Sequence, residues 1–373
     1  MKSEERVIQV FGSHLGLEEL EEIRDCLESQ WIGLGPKTAR LESALACHLG
    51  VDDFVLLNSG SNALQMAVHL LDLPEGAEVI LPSFTWVACA SAVMLCGLKP
   101  VFCDVDPATM NLTAASVERV MSPRTAAIMA IHYAGLPAPV YDLAQFGLPI
   151  IEDAAHAIDS RVAGRACGTI GDIGIYSFDS VKNLAMGEGG GLVAKDPARL
   201  ERARKLRLCG ISRTGFDASQ RQERWWEHEI HEPFAKMTPN DLSAAVGLAQ
   251  LRKLPAAQAR RAAIWTLYQR ELHDISWLQT PCDTLAEDRH SFFTYCVQLR
   301  GGGRDQLARH LLNRKIYTTL RFHPLHLSPV YQGNTSLTVT EDLMARAINL
   351  PLHPRLSDAD LGRIIETIRA FRG

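Results

Sequence analysis

The sequence predicts an α/β fold: a large domain with a mostly parallel sheet flanked by helices, followed by a smaller α+β C-terminal domain. Three observations lead there. Between residues 50 and 195, short apolar runs alternate with helix-like stretches. The runs themselves, such as AEVILP, TAAIMAIHY and IGIYSF, are continuous and rich in Val and Ile, as expected of strands buried on both faces. After Asp196 the texture changes, and a further strand-like run, SFFTYCVQL, stands beside helical segments of its own.

In chain order, GLEELEEIRDCLESQ is amphipathic and leads into the Gly-rich WIGLGP, so residues 1–45 read as an N-terminal arm and helix. LNSGSNALQMAVHLL is a capped amphipathic helix. AEVILP, KPVFCDV, TAAIMAIHY, LPIIEDAA, IGIYSF and GGLVAKD then supply strands, with WVACASAVMLCG and ASVERVM as helices between them. PARLERARKLRLCG is a basic amphipathic stretch, 212–240 a polar segment, and DLSAAVGLAQLRKL helical in its spacing. The large α/β domain is set at 46–254. The small domain, 255–373, holds SFFTYCVQL, a GGG turn, RDQLARHLLNRK and the terminal helix LGRIIETIRAF.

Composition excludes several classes. The 373 residues carry 38 Lys+Arg against 43 Asp+Glu, a formal charge of -5, with no acidic or basic half. Nucleic acid and a membrane surface are therefore not expected as partners, and an anionic ligand needs a local basic site. The nine cysteines are scattered and never form C-x-x-C, which is cytosolic usage rather than a disulfide framework or a zinc site. The start, MKSEERVIQV, has no apolar core, and the apolar stretch Trp86 to Leu98 is too short to span a bilayer, so a cytoplasmic protein is expected.

Three constellations could carry chemistry. At 57–71, Gly60 and Ser61 precede a helix whose free N–H groups and positive dipole end suit a phosphate; the same residues also suit a plain helix cap. At 149–157 an apolar strand ends in Glu152 and Asp153, and strand alternation lets only one of them face a crevice at its carboxyl end. A carboxylate there could instead cap the next helix, and His156 could be structural. At 173–193 a strand delivers Ser177, a short loop delivers Lys182, and the run 187–190, GEGG, turns tightly into the next strand. A lysine so placed fits a dry site where desolvation lowers an amine's pKa and permits Schiff-base chemistry; a snorkelling surface lysine is the other reading.

Taken in order, SGSNAL (59–64), PSFTW (82–86), DVDPATMN (104–111), HYAG (132–135), IEDAAHA (151–157), YSFDSVKN (176–183) and GEGG (187–190) resemble the DegT/DnrJ/EryC1/StrS family of PLP-dependent sugar aminotransferases. The likeness runs from WIGLGP through DLSAAVGLAQL to TTLRFHPLH, and HYAG, GRACGTIG and TPNDLSAA look closest to the transaminases that aminate C4 of a dTDP-4-keto-6-deoxyhexose. The resemblance implies an aspartate-aminotransferase-like architecture, PLP fold type I, and a homodimer. It implies that Lys182 carries pyridoxal 5'-phosphate (PLP, with PMP as its aminated form), that Asp153 keeps the pyridine nitrogen protonated, and that His156 stands beside the phenolic oxygen. Trp86 would stack on the ring, and Gly60, Ser61, Asn62 and Ser177 would hold the phosphate.

The implied function is transfer of an amino group from glutamate to a keto group, C4 foremost, of a nucleotide-linked deoxysugar. C3 amination of a 3-keto nucleotide sugar and a non-catalytic PLP-binding regulator are the alternatives, and a PMP-dependent dehydratase of this fold has His where Lys182 stands. Two departures stand out: HEPFAKMTPND lacks the Asn with which relatives reach the neighbouring subunit's cofactor, leaving Lys236 or Asn240, and Asn62 replaces a small residue. Arg321 and His323 in TTLRFHPLH are candidates for the acceptor's phosphates or sugar. His228 with His231, and His323 with His326, lack a third ligand, and H-E-I-H is not the H-E-x-x-H pattern, so no metal is expected. Arg202, Arg204, Lys205 and Arg207 read as a solvated helix face.

Overall fold

The computed structural model describes residues 6–211, 227–284, 287–331 and 336–372. Part of the polar segment near 212–240, residues 212–226, lies outside the described residues. The main sheet is built from β1 (Val55–Leu57), β2 (Glu78–Pro82), β3 (Lys99–Cys103), β4 (Thr125–Ile131) and β5 (Ile150–Asp153), with β8 (Ile173–Ser177) and β9 (Gly190–Ala194). Between β5 and β8 a small hairpin pairs β6 (Arg161–Val162) with β7 (Arg165–Ala166). The order across the sheet is β1-β9-β8-β5-β4-β2-β3. Every pairing from β3 to β8 is parallel, and β9 runs antiparallel to both its neighbours. This is the mostly parallel sheet that the continuous apolar runs predict.

Alternation along each strand explains the helices on both faces. Val79, Leu81, Met129, Ile131, Ile151 and Ile175 point to one side, where they pack on α3 (Gly60–His69), α4 (Val87–Leu95) and α7 (Pro197–Leu206). Ile80, Ile128, Ala130 and Ile150 point to the other and meet α5 (Ala114–Glu118) and α6 (Val140–Leu143). Leu56, Tyr176 and Val193 also face that side, under α2 (Pro36–Leu49) and the first half of α8 (Asp241–Leu272). α1 (Leu17–Glu28) packs along α8 as well. A strand sandwiched in this way has no polar face to show, so its sequence carries no period of two.

The basic stretch at α7 departs from the solvated face expected of it. Arg207, just past the helix, is buried and donates to the Glu42 carboxylate at 2.5 Å and to the Leu56 carbonyl at 2.9 Å. It ties α2 to the edge of the sheet.

The C-terminal part has its own core. β10 (Leu278–Gln279), β11 (Tyr295–Leu299) and β12 (Ala347–Leu350) form an antiparallel sheet, accompanied by α9 (Arg304–Leu312), α10 (Thr338–Arg346) and α11 (Asp358–Arg369). Residues 254 and 255 fall inside α8, which continues through Pro255. Its early residues Ala244, Leu248 and Leu254 belong to the large core, and Ile264, Trp265, Tyr268 and Leu272 to the small one. One helix thus ties the two cores together.

Candidate active site

The parallel strands β4, β5 and β8 all end at one place. Ile131, Asp153, Ile175 and Ser177 there line a cavity of about 500 Å³, joined by Gly60 and Ser61 at the start of α3 and by Thr85 and Trp86 after β2. The loop after β8 adds Asp179 and Lys182, and Arg321 with Phe322 closes it from the C-terminal part. A crevice beyond the carboxyl ends of parallel strands is the general ligand position in open α/β sheets, because strand-to-helix loops and helix N-termini converge there.

The two carboxylates of β5 separate as alternation requires. Glu152 is fully buried on the far side, where it accepts from His132 Nε2 at 2.9 Å and from the backbone N–H groups of Gly168, Ile170 and Gly171. Burial works against its charge, yet these donors hold its carboxyl below the ordinary range. Asp153 turns to the cavity instead. Its Oδ1 accepts the Ala155 N–H at 2.9 Å and its Oδ2 accepts from the Cys89 thiol at 3.2 Å.

Lys182 is presented by a local turn. The Asp179 carboxylate accepts the Val181 N–H at 2.9 Å, and the Lys182 N–H donates to the Asp179 carbonyl at 2.9 Å. The next residue pins the loop, with Asn183 Nδ2 donating to the Ser291 carbonyl at 2.6 Å. Lys182 Nζ lies 5.0 Å from the centre of the Phe293 ring. Burial, then the Arg321 guanidinium, push its amine down to about 8. The surface-lysine reading is thereby set aside. The amine is protonated below about 8 and free above it, so reductive methylation of Lys182 by formaldehyde, followed by peptide mass, is expected to rise through a midpoint near 8. Arg321→Gln removes the nearby cation and is expected to raise that midpoint.

Phe293 is the hub of the far wall. His156 stacks on it with ring centres 4.0 Å apart, Phe11 stacks at 5.2 Å, and the Arg321 guanidinium sits 5.7 Å from its centre and 4.2 Å over Phe11. Among the described residues Arg321 has no carboxylate partner. Buried between Phe293 and the cations of Lys182 and Arg321, His156 is held well below its ordinary pKa, with burial the main cause, and its Nδ1 has no partner among the described residues. Trp86 is 55% exposed and tilts against Phe322 at 5.8 Å.

At the start of α3 the cap is Ser59, whose Oγ accepts the Asn62 N–H at 3.1 Å. The N–H groups of Gly60 and Ser61 are left without an intrahelical acceptor, and both residues line the cavity. A Cβ at Gly60 would come within 2.7 Å of the Ser177 Cβ, so only glycine lets α3 start directly against the end of β8. Gly60→Ala is expected to cost about 1–3 kcal/mol, read from the denaturant midpoint.

Two residues expected at the site fall elsewhere. Asn62 is not among the residues lining the cavity; its Nδ2 donates to Oδ1 of Asn58, just before the Ser59 cap, at 2.7 Å. His323 lines a neighbouring cavity with Gly303 and Arg304, while Arg321, two residues earlier in a segment that forms no strand, lines the main one. Asn240 caps α8 by accepting the Ser243 N–H, and Lys236 is exposed. The sequence does not single out Phe293, Cys89, Thr85 or Asp179; the Asp-x-x-Lys spacing of 179–182 is the one local signal among them.

Comparisons with known proteins concern the chain as a whole. The family model described as the DegT/DnrJ/EryC1/StrS aminotransferase family matches residues 14–369. A dTDP-4-dehydro-2,3,6-trideoxy-D-glucose 4-aminotransferase of Saccharopolyspora spinosa is 44% identical over 360 residues, covering 94% of this chain and 93% of that one. The crystal structure of the aminotransferase TlmJ from Streptoalloteichus hindustanus is similar at a TM-score of 0.92 with 39% identity over 98% of both chains. Spr1654 from Streptococcus pneumoniae, solved in a PLP-form, gives 0.89 with 27% identity over 97% of both. The aspartate-aminotransferase-like architecture is therefore the fold of this chain.

Proposed function

This chain belongs to the DegT/DnrJ/EryC1/StrS aminotransferase family, and from that membership we propose a PLP-dependent transfer of an amino group from glutamate to C4 of a nucleotide-linked keto-deoxysugar. The observation that carries the reading is the convergence of a lysine with a pKa pushed down to about 8 and the Asp153 carboxylate on one cavity. The C4 preference is supported by the 44% identical relative named as a 4-aminotransferase.

The residues fit the cofactor. Gly60 packs so tightly on Ser177 that backbone N–H groups and the Ser61 and Ser177 hydroxyls are gathered at one helix start, which suits a phosphate. The unpartnered nitrogen of His156 is a buried polar group in want of a neighbour. Trp86 offers a ring face, His156 a neighbour for the phenolic oxygen, and Asp153 an anion for the pyridine nitrogen. When bound, PLP supplies the electron sink that makes the donor's α-proton labile.

The chain's own residues do the rest. Asp153, with each oxygen already holding one donor, keeps its remaining lone pairs for a ring N–H and so keeps that proton in place. Lys182 Nζ, with its pKa pushed down to about 8, would take the proton from the donor's α-carbon and hand it on within that same half, and would run the same transfer in reverse to protonate the acceptor carbon of the sugar. Arg321, a guanidinium with aromatic neighbours and no carboxylate partner among the described residues, receives an anionic group of donor or acceptor. His132 and Glu152 stay behind the sheet and hold the 168–171 loop.

A homodimer is supported by Leu17, Leu20 and Leu27, exposed together along one face of α1. A cytoplasmic setting is supported by nine free cysteines, and no helix among the described residues is long and apolar enough to cross a membrane. The test is turnover: protein, PLP and glutamate with a panel of 4-keto and 3-keto dTDP-deoxyhexoses, aminated product being read by mass. Amination of the 4-keto sugars is expected, and amination of the 3-keto sugars alone would move the reading to C3.

A further inference from the structure

Behind the cavity wall, Asp153 is gripped by a group that the proposed mechanism does not use. Cys89, in the first turn of α4, is fully buried, and its Sγ lies 3.2 Å from Asp153 Oδ2. Thr85, 1% exposed, places its Oγ1 3.4 Å from the same sulfur. The two residues are four apart, across the start of α4, so a hydroxyl, a thiol and a carboxylate line up as a short chain. Burial, and then the Asp153 charge, push the Cys89 thiol well above its ordinary pKa, so the sulfur keeps its proton and is the donor to Oδ2. The other oxygen is held by the Ala155 N–H. Both ends of the carboxylate are thus fixed, one by the main chain and one by a weak donor that withdraws little of its charge.

We infer that Cys89 is a positioning residue: its thiol aims the Asp153 carboxylate and sets how much negative charge that carboxylate presents to the cavity. This role rests on the proposed function, which gives Asp153 the ring nitrogen of the cofactor. A residue that merely fills space would act through volume alone; a positioning donor acts through its hydrogen.

Cys89→Ser and Cys89→Ala separate the two, because the products differ only by a hydroxyl. The full-length variants, loaded with PLP, are titrated with pH through the visible absorbance band, and PLP retention is measured by dialysis. Cys89→Ala is expected to move the band's midpoint by about half a pH unit or more and to weaken retention about threefold, the factor half a unit represents. Cys89→Ser is expected to stay within about 0.2 unit of the parent, as an alternative donor of similar reach. Should either variant fold poorly by circular dichroism, Cys89→Thr against Cys89→Val repeats the comparison at larger volume. The inference is overturned if Cys89→Ala titrates like the parent, or if the Ser and Ala variants shift together. If the parent protein itself takes up no PLP and shows no band, the proposed function fails first, and that result is distinct from either.

Discussion

Lys182→Ala is expected to fold and to lose turnover by at least about 10⁴-fold, the upper end of what one positioned proton-transfer group supplies, since the proposed function also makes this amine the cofactor's attachment point. The fold should survive because the Lys182 side chain donates no hydrogen bond to a described residue; its near neighbour is the face of Phe293. Removing an amine whose charge is disfavoured by burial leaves stability within about 1 kcal/mol of the parent. Single-turnover mixing with glutamate, followed by the absorbance of added PLP, measures the loss directly. Turnover at the parent's rate would remove Lys182 from the mechanism.

Asp153→Asn is the second large effect. The amide keeps the shape, and its oxygen can still accept the Ala155 N–H, so the end of β5 should stay where it is. What goes is the charge. An anion in a site closed by strand ends and aromatic rings is worth more than in water, and removing such a group costs about 10²–10³-fold in rate. The loss should appear in kcat, with folding by circular dichroism unchanged. A rate near the parent's would mean that another carboxylate on the cavity wall, Asp179 or Glu188, carries the charge.

Local rules make part of this site legible from the residues alone. Alternation along PIIEDAA requires that one of Glu152 and Asp153 face away, and Glu152 does, into three backbone donors. The run from Ser177 to Lys182, between two apolar strands, is a turn whose chemistry is local, and both ends of it reach the cavity. The capping ambiguity at 57–71 has a local answer too, but Ser59 rather than Ser61 or Asn62 takes the cap, a choice of one position that helix signals do not settle. Phe293 reads only as buried. Its partners Phe11, His156 and Arg321 come from distant parts of the chain, and no periodicity in SFFTYCVQL names them. Pairing His323 with Arg321 relies on proximity in sequence, which holds on a strand or a helix face and fails in the irregular segment that carries them. Cys89 reads as one more apolar helix residue, because a thiol's hydrogen bond leaves no mark on a hydrophobic pattern.

The convergence on Phe293 also orders events in time. Lys182 emerges from the ribosome well before Phe293 and Arg321, and domains generally fold N-terminal first during synthesis. Until those later residues arrive, the amine lacks the Phe293 ring face and the Arg321 cation beside it. The surroundings that set this amine apart are thus completed only by residues from the last quarter of the chain.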